Sequence, residues 1–333
     1  MSVNSREYKK RRNRTIVITI IFAILIFLIT TRLSRFMLGS KSSNNQHNHL
    51  SKHIAVLDID GEMSDSSSTS YDHYWIINTI DDLMDNPMNK GIFLRINTPG
   101  GSVYYSDELY NKLIEYKKTT KNPVYVYMED MAASGGYYVS AAADKIYANR
   151  NCWTGSIGVT TGTMINVKGL LEKLGIKTET ITSGRNKSMG SSTEDMTDEQ
   201  RKIMQSLIDE SYERFINIVA DGRKIDIEKV REIADGRIYT ATQAKDLNLV
   251  DKICSEEDAR ELISKNIKMK NIKYIVLSPP KPSLIDKIDL VKGNKKPYGD
   301  IELNEEMSKY NDLLELAKGG NYITVSYICN IRK

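Results

Sequence analysis

Ser134 stands in Met131-Ala132-Ala133-Ser134-Gly135-Gly136-Tyr137, where small neighbours let a hydroxyl sit at the exposed end of a strand. A serine placed like this is a nucleophile for acyl transfer once a base takes its proton. The Gly135 N–H could then donate to the oxyanion that forms. A close-packed helix start would use the same residues, and the segment does not match GxSxG. Asn97-Thr98-Pro99-Gly100-Gly101-Ser102 is the second segment of interest. Two glycines after a strand let backbone N–H groups approach a ligand with no Cβ in the way, though a tight strand-to-helix turn needs them as well. Thr182-Ser183-Gly184-Arg185-Asn186-Lys187-Ser188 is the third, a loop after the strand-like TETI.

The four histidines narrow the chemistry. His47, His49, His53 and His73 all precede these segments. A Ser–His–Asp triad, a His-rich zinc site and a HExxH metallopeptidase are therefore disfavoured together. A base for Ser134 is then a lysine or a carboxylate. Lysine serves only where burial lowers its pKa toward the working pH. Most of the 47 basic residues must be solvated, so Lys187 is not singled out by its type.

The elements around these segments alternate. IAVLDI (54–59), GIFLRI (91–96), VYVYM (124–128) and KIYA (145–148) read as short buried strands. Between them lie helical stripes, Ile76, Ile77, Ile80, Leu83 and Met84 on one, Leu109, Tyr110, Leu113 and Ile114 on the next. Such alternation predicts an α/β fold with a largely parallel sheet and flanking helices. A long amphipathic helix follows over 197–222, capped by Thr197 with Gln200 three residues on and stopped by Gly222. Short helices over 226–234, 241–247 and 255–263 and the strand KYIVL (273–277) complete the body. The tail after PPKP ends in the β-prone YITVSYI.

The spacing of charge and apolar residues sets the organisation. The chain's net charge is +4, of which residues 1–14 carry +5 and the remainder −1, so the body is close to neutral and has no footprint for nucleic acid. Thr15 to Thr31 is 17 residues without a charge, preceded by KKRRNR. It reads as an uncleaved N-terminal transmembrane helix, with the N-terminus cytoplasmic and the body extracytoplasmic. No A-x-A cleavage site follows it. The expected domains are a basic segment (1–14), the anchor (15–38), a polar stalk (39–52), a catalytic domain (53–278) and a C-terminal tail (279–333). Cys152, Cys254 and Cys329 are too irregularly spaced for a disulfide framework or zinc cluster and read as buried or partly buried small apolar thiols. No metal or cofactor is expected.

NTPGGS, MAASGGYY, TGSIGV (154–159), KGLLEKLGI (168–176), SGRNKSMGS (183–191) and DGRIYTATQAKDLNLVD (235–251) occur in one order. Together they resemble bacterial signal peptide peptidase A of the single-domain type, in the Clp protease/crotonase fold superfamily. The resemblance runs from about Ile54 to Asp251. It implies that Ser134 is the nucleophile, Lys187 the general base and Ser156 the hydroxyl that orients this lysine. It also implies that Gly101 and Gly135 supply the oxyanion N–H groups. An extended peptide would lie between the GSIGV strand and the residues after PGG, pairing as an added strand. The implied function is a membrane-anchored serine endopeptidase that degrades cleaved signal peptides and other unfolded apolar peptides, assembled as a homo-oligomeric ring.

Four positions depart from the family pattern. Glu129 and Asp130 precede Met131 where small residues are commoner, and would oppose deprotonation of a nearby lysine. Ser188 replaces a frequent aspartate. Asn248 stands where glycine is usual, and asparagine tolerates left-handed backbone. Two other readings compete, a non-catalytic membrane-anchored peptide- or partner-binding protein and a crotonase-like acyl-CoA enzyme. Intact Ser134, Lys187 and Ser156 speak against the first, and the anchor against the second.

Overall fold

Isoleucine, valine and leucine fill β1 (His53–Asp60), and its first five residues are all buried. A strand covered on both faces reads as a continuous apolar run, which is the parallel-sheet signature. The structure is a computed structural model describing residues 51–64, 70–279 and 326–328, all of them within one compact unit. α1 (His73–Met84) follows, capped by the Asp72 carboxylate, which accepts from the Trp75 N–H at 3.0 Å. β2 (Asn89–Thr98), β3 (Gly100–Ser102) and α2 (Val103–Thr120) come next, and Ser102 caps α2. β4 (Val124–Ala133) leads into α3 (Gly135–Ser140), and β5 (Lys145–Ala148) and β6 (Trp153–Gly155) follow.

Beyond the site segments lie α4 (Lys168–Lys173), α5 (Asp198–Arg223), α6 (Ile227–Ile233), β7 (Ile238–Thr240) and α7 (Ala241–Asp246). β8 (Lys252–Ile253), α8 (Glu256–Asn266), β9 (Lys273–Leu277) and β10 (Ser326–Ile328) end the described chain. The main sheet runs β7-β6-β4-β2-β1-β9, with β5 beside the first half of β4 and β8 beside β5. Its pairs are parallel except β6–β7. The expected mixed α/β architecture with a largely parallel sheet is what the structure shows.

Local departures from the expected elements have physical causes. The long helix α5 starts on the Thr197–Gln200 capping box, but it runs past Gly222 to a left-handed Lys224 (φ 54°). Gly222 is needed for contact: a Cβ there would meet the Ala141 carbonyl oxygen at 2.2 Å. TETI makes no strand: among the described residues no strand pairs with it, and Ile181 is 91% exposed. β6 stops at Gly155, since Ser156 takes a positive φ of 49° and turns the chain out of the ladder. KYIVL is not the last strand, for part of YITVSYI forms β10. Asn248 takes the left-handed conformation expected of it, with φ 60°. The proposed anchor, residues 15–38, lies outside the described residues, as does most of the tail. Among the described residues no helix is long and apolar enough to cross a membrane.

The turn after α7 is tied to the site by polar contacts. Asp251 accepts from the Ile146 N–H at 2.8 Å and pairs with Arg223 at 3.0 Å and Lys145 at 2.9 Å. The adjacent Leu249 carbonyl accepts from the Tyr137 hydroxyl of α3 at 2.9 Å. Burial raises the Asp251 pKa, but the Ile146 N–H, Arg223 and Lys145 outweigh it and leave the carboxyl below its usual value. A depressed folded pKa means that the stabilisation is present above the unfolded value of about 3.9 and is lost as pH falls through the folded one. Asp251→Asn leaves Arg223 buried without its partner and is expected to cost roughly 3 kcal/mol at pH 7. Denaturant unfolding at pH 7 and pH 3 checks this: the deficit should shrink at the lower pH.

Candidate active site

The carboxyl ends of β2 and β4 bring the two glycine-rich segments together. β4 pairs with β6 in register, Ala133 opposite Gly155, so that Ser134 and Ser156 leave the ladder side by side. The Ser134 N–H donates to the Gly155 carbonyl at 2.8 Å, and the Tyr138 N–H donates to the Ser134 carbonyl at 2.9 Å. Ser134 is thus the hinge between a strand and the first turn of α3. Its backbone has φ 55° and ψ −114°, a sparsely populated conformation for a residue with a Cβ. Such strain costs about 1–3 kcal/mol and persists where surrounding structure enforces it. A serine on a strained strand-to-helix turn is a nucleophile elbow in geometry, although GxSxG is absent.

Gly135 and Gly101 adjoin. A Cβ on Gly135 would lie 3.2 Å from the Gly101 nitrogen, so the two peptide N–H groups share one small region beside Ser134. A backbone clamp fixes that region from behind. The Met63 N–H donates to the Gly100 carbonyl at 2.8 Å, and the Ser102 N–H donates to the Met63 carbonyl at 2.9 Å. Because Gly100 and Ser102 spend these groups on Met63, alternation along the strand turns the Gly101 N–H and C=O the other way. Sequence reasoning did not find Met63; a lone methionine in a polar loop carries no signal for such a role.

On the side that Gly101 faces lies the chain itself. β10 pairs antiparallel with β3, with Tyr327 opposite Gly101. On its other edge, the Ser326 N–H donates to the Thr160 carbonyl at 2.9 Å and the Thr160 N–H to the Ser326 carbonyl at 3.0 Å. The space between PGG and the segment after GSIGV is therefore a two-edged strand slot.

Lys187 is the site residue that the single chain does not join to the others. It lies exposed in the loop after Gly184, and no hydrogen bond links it to Ser134 or Ser156. Ser134 is fully buried and Ser156 nearly so, with the Ser156 N–H donating to the Arg237 carbonyl at 2.8 Å. Apolar side chains on the same excursion, Met164, Ile165, Leu174 and Ile181 among them, are exposed as well.

The carboxylates before Met131 have other neighbours. Burial raises the Glu129 pKa, Arg95 opposes it, and Asp58, Glu256 and Asp60 add to the rise. The nearby charges that act on Glu129 lie on β1, β2 and α8. His73 is buried between the Tyr71 hydroxyl and the Glu108 carboxylate, each at 2.6 Å. Cys152 is buried as expected, and burial pushes its thiol up to about 12. Among the described residues no cluster of His, Cys, Asp or Glu could hold a metal ion. An open cavity of about 990 Å³ lined by Asp60, Glu62, Pro99, Asp130, Arg150 and Trp153 also lies near these strand ends, but none of the five site residues lines it.

The profile of Peptidase family S49 matches residues 116–270, which include Ser134, Ser156 and Lys187. A putative signal peptide peptidase SppA from Enterococcus faecium is 37% identical over 250 residues, covering 75% of this chain and 72% of that protein. The chain belongs to peptidase family S49. Among other relatives, a putative protease from Methanocaldococcus jannaschii is 40% identical over 204 residues, 61% of this chain and 65% of the relative. Protease 4 of Salmonella typhi is 35% identical over 208 residues, 62% of this chain but only 33% of that longer protein. S49 membership agrees with the SppA-type resemblance carried by the six sequence motifs.

Proposed function

We propose that this S49 protein is a membrane-anchored serine endopeptidase with Ser134 as nucleophile and Lys187 as general base. It degrades signal-peptide remnants and other unfolded apolar peptides outside the cytoplasm. The observation that carries the reading is Ser134 on a strained elbow beside the N–H groups of Gly101 and Gly135.

In the reaction, neutral Lys187 takes the Ser134 hydroxyl proton as Oγ bonds to the scissile carbonyl carbon. The carbonyl oxygen becomes an oxyanion held by the two glycine N–H groups. The C–N bond then breaks, and the leaving amine takes the proton back from the Lys187 ammonium. Water attacks the acyl ester, giving one proton to Lys187, and the regenerated Ser134 hydroxyl recovers it as the acid departs. Ser156 orients the lysine in this scheme. A lysine can act so only when desolvated, because burial disfavours the ammonium. Exposure of Lys187 and of its apolar neighbours in one chain supports a homo-oligomer, in which another copy covers this excursion.

Hydrolysis of an unfolded protein by the detergent-purified full chain tests the reading. Lys187→Ala is expected to lower kcat by about 10⁴-fold or more, because nucleophile and base act as one unit. Retention of near-wild-type turnover would reject the lysine base. Sedimentation in the same detergent tests the assembly, and a fully active monomer would contradict it.

A further inference from the structure

Parallel pairing puts the starts of β1, β2, β4, β5, β8 and β9 along one edge of the main sheet, the edge opposite Ser134. A lysine lies at or within three residues of the start of every one of them: Lys52, Lys90, Lys121, Lys145, Lys252 and Lys273. The registers bring these positions level. Lys273 stands opposite His53 and His53 opposite Asn89, while the Asn122 side chain donates to the Asn89 carbonyl at 3.0 Å. The adjacent strands β9, β1, β2 and β4 therefore start their lysines side by side, across about 14 Å of sheet. Helices that return to this edge add more. α2 places Lys118 in its last turn, and α8 hands over to Lys268 and Lys270 before β9 begins.

Most of this charge is not neutralised. Among the described residues Lys145 alone of the six strand lysines is in an ion pair, with Asp251, and Lys118, Lys268 and Lys270 are in none. Against them stand Asp82 and Asp85 at the end of α1, with Asp144 already engaged by Lys117 at 2.9 Å. The chain after residue 14 sums to −1, so the excess is local. The catalytic edge has the opposite sign: Asp60, Glu62 and Asp130 line the open cavity there, with Arg150 as its one cation. The body is thus polarised along its strands. Lysines are hydrated point charges on flexible stems, and a row of them suits a plane of phosphates better than one bound anion.

We propose that this basic edge docks on anionic phospholipid headgroups and turns the Ser134 edge of the sheet toward the aqueous side. The docking rests on the membrane-anchored reading. Fourteen residues, 39–52, separate the expected anchor from β1, a tether of at most about 50 Å. A tether limits distance and leaves orientation free. Each lysine near an anionic surface strengthens binding by roughly fivefold, an anionic lipid surface repels the acidic edge, and salt screens both effects. Peptides then reach Ser134 from the aqueous side, after they have left the bilayer.

The full chain is reconstituted into vesicles of phosphatidylcholine alone and into vesicles with about one-third phosphatidylglycerol. A membrane-impermeant acylating reagent then reads each lysine by mass spectrometry. Phosphatidylglycerol should slow modification of Lys121, Lys268, Lys270 and Lys273 by roughly fivefold or more, and about 0.5 M salt should restore it. Lys202 is exposed on α5, about 30 Å along that helix from the Arg223 that pairs with Asp251, and should react alike in both vesicles. A chain carrying Lys268→Glu, Lys270→Glu and Lys273→Glu should lose the protection at Lys121 as well, and so should one carrying Lys52→Glu and Lys118→Glu. Equal modification in the two vesicles would overturn the docking edge. Equal protection by soluble glycerol phosphate over phosphatidylcholine would assign the edge to free anions and overturn it too. Flotation separates this outcome from the anchor. With phosphatidylcholine vesicles at high salt the chain should float, since only the anchor holds it there. If it does not, the anchored reading fails; salt-sensitive flotation with phosphatidylglycerol vesicles would then still support the edge, and its absence would overturn it.

Discussion

Ser134→Ala is expected to abolish peptide hydrolysis, with kcat falling by about 10⁴- to 10⁶-fold, while the protein melts where the wild type does. The stability half of this expectation follows from the backbone. At φ 55° and ψ −114° the strain belongs to the Cβ, which alanine keeps, so nothing is relieved. Ser134→Gly separates the two effects. It also lacks the hydroxyl, but it removes the Cβ and should be more stable by about 1 kcal/mol, raising the melting temperature by roughly 2–4 °C. An inactive, more stable glycine variant beside an inactive, unchanged alanine variant is the signature of an elbow strained for function. Turnover by the alanine variant near that of the wild type would remove Ser134 from the chemistry.

The parts of this site that were legible in the sequence are local. AASGG and PGGS stand out as small-residue segments at strand ends, shared with ordinary helix starts and turns, and it is their occurrence in one order with the other motifs that marks the site. The Thr197–Gln200 capping box and the left-handed Asn248 were readable because each is decided within a turn of chain. What could not be read depends on long-range pairing. Met63 reaches β3 across 38 residues, and its backbone rather than its side chain does the clamping. YITVSYI was visibly β-prone, but nothing in it names β3 as its partner, more than 200 residues away. Tyr138 and Phe215 lie on separate helices, and only the folded chain shows that their rings pack together. Lys187 is the opposite case. The resemblance points to it, while the single chain leaves it exposed and unjoined to Ser134.

Gly101→Ala is expected to damage turnover strongly, though less than loss of the nucleophile, and for a reason confined to the backbone. A Cβ there would lie 2.1 Å from the Met63 carbonyl oxygen, 2.6 Å from its carbonyl carbon and 2.7 Å from its nitrogen. No side-chain rotation relieves a clash with a main chain that is itself hydrogen-bonded on both sides of the contact. β3 must therefore move away from Met63, carrying the Gly101 N–H off the line to the oxyanion and disturbing the edge that pairs with an extended peptide. Loss of one such donor costs about 10²- to 10³-fold in kcat, and the disturbed edge should raise KM as well. Gly135→Ala makes an informative contrast. Its Cβ would meet the Ser106 Oγ at 2.4 Å, a hydroxyl on a rotatable side chain that donates to the Ser102 carbonyl. Ser106 can turn away at the cost of one hydrogen bond, so Gly135→Ala should lose less kcat than Gly101→Ala and gain nothing in KM. Steady-state kinetics on both variants, each checked for an intact melting transition, decide the matter. A folded Gly101→Ala protein with wild-type kcat would mean that its N–H is not an oxyanion donor and that the Met63 clamp serves only the fold.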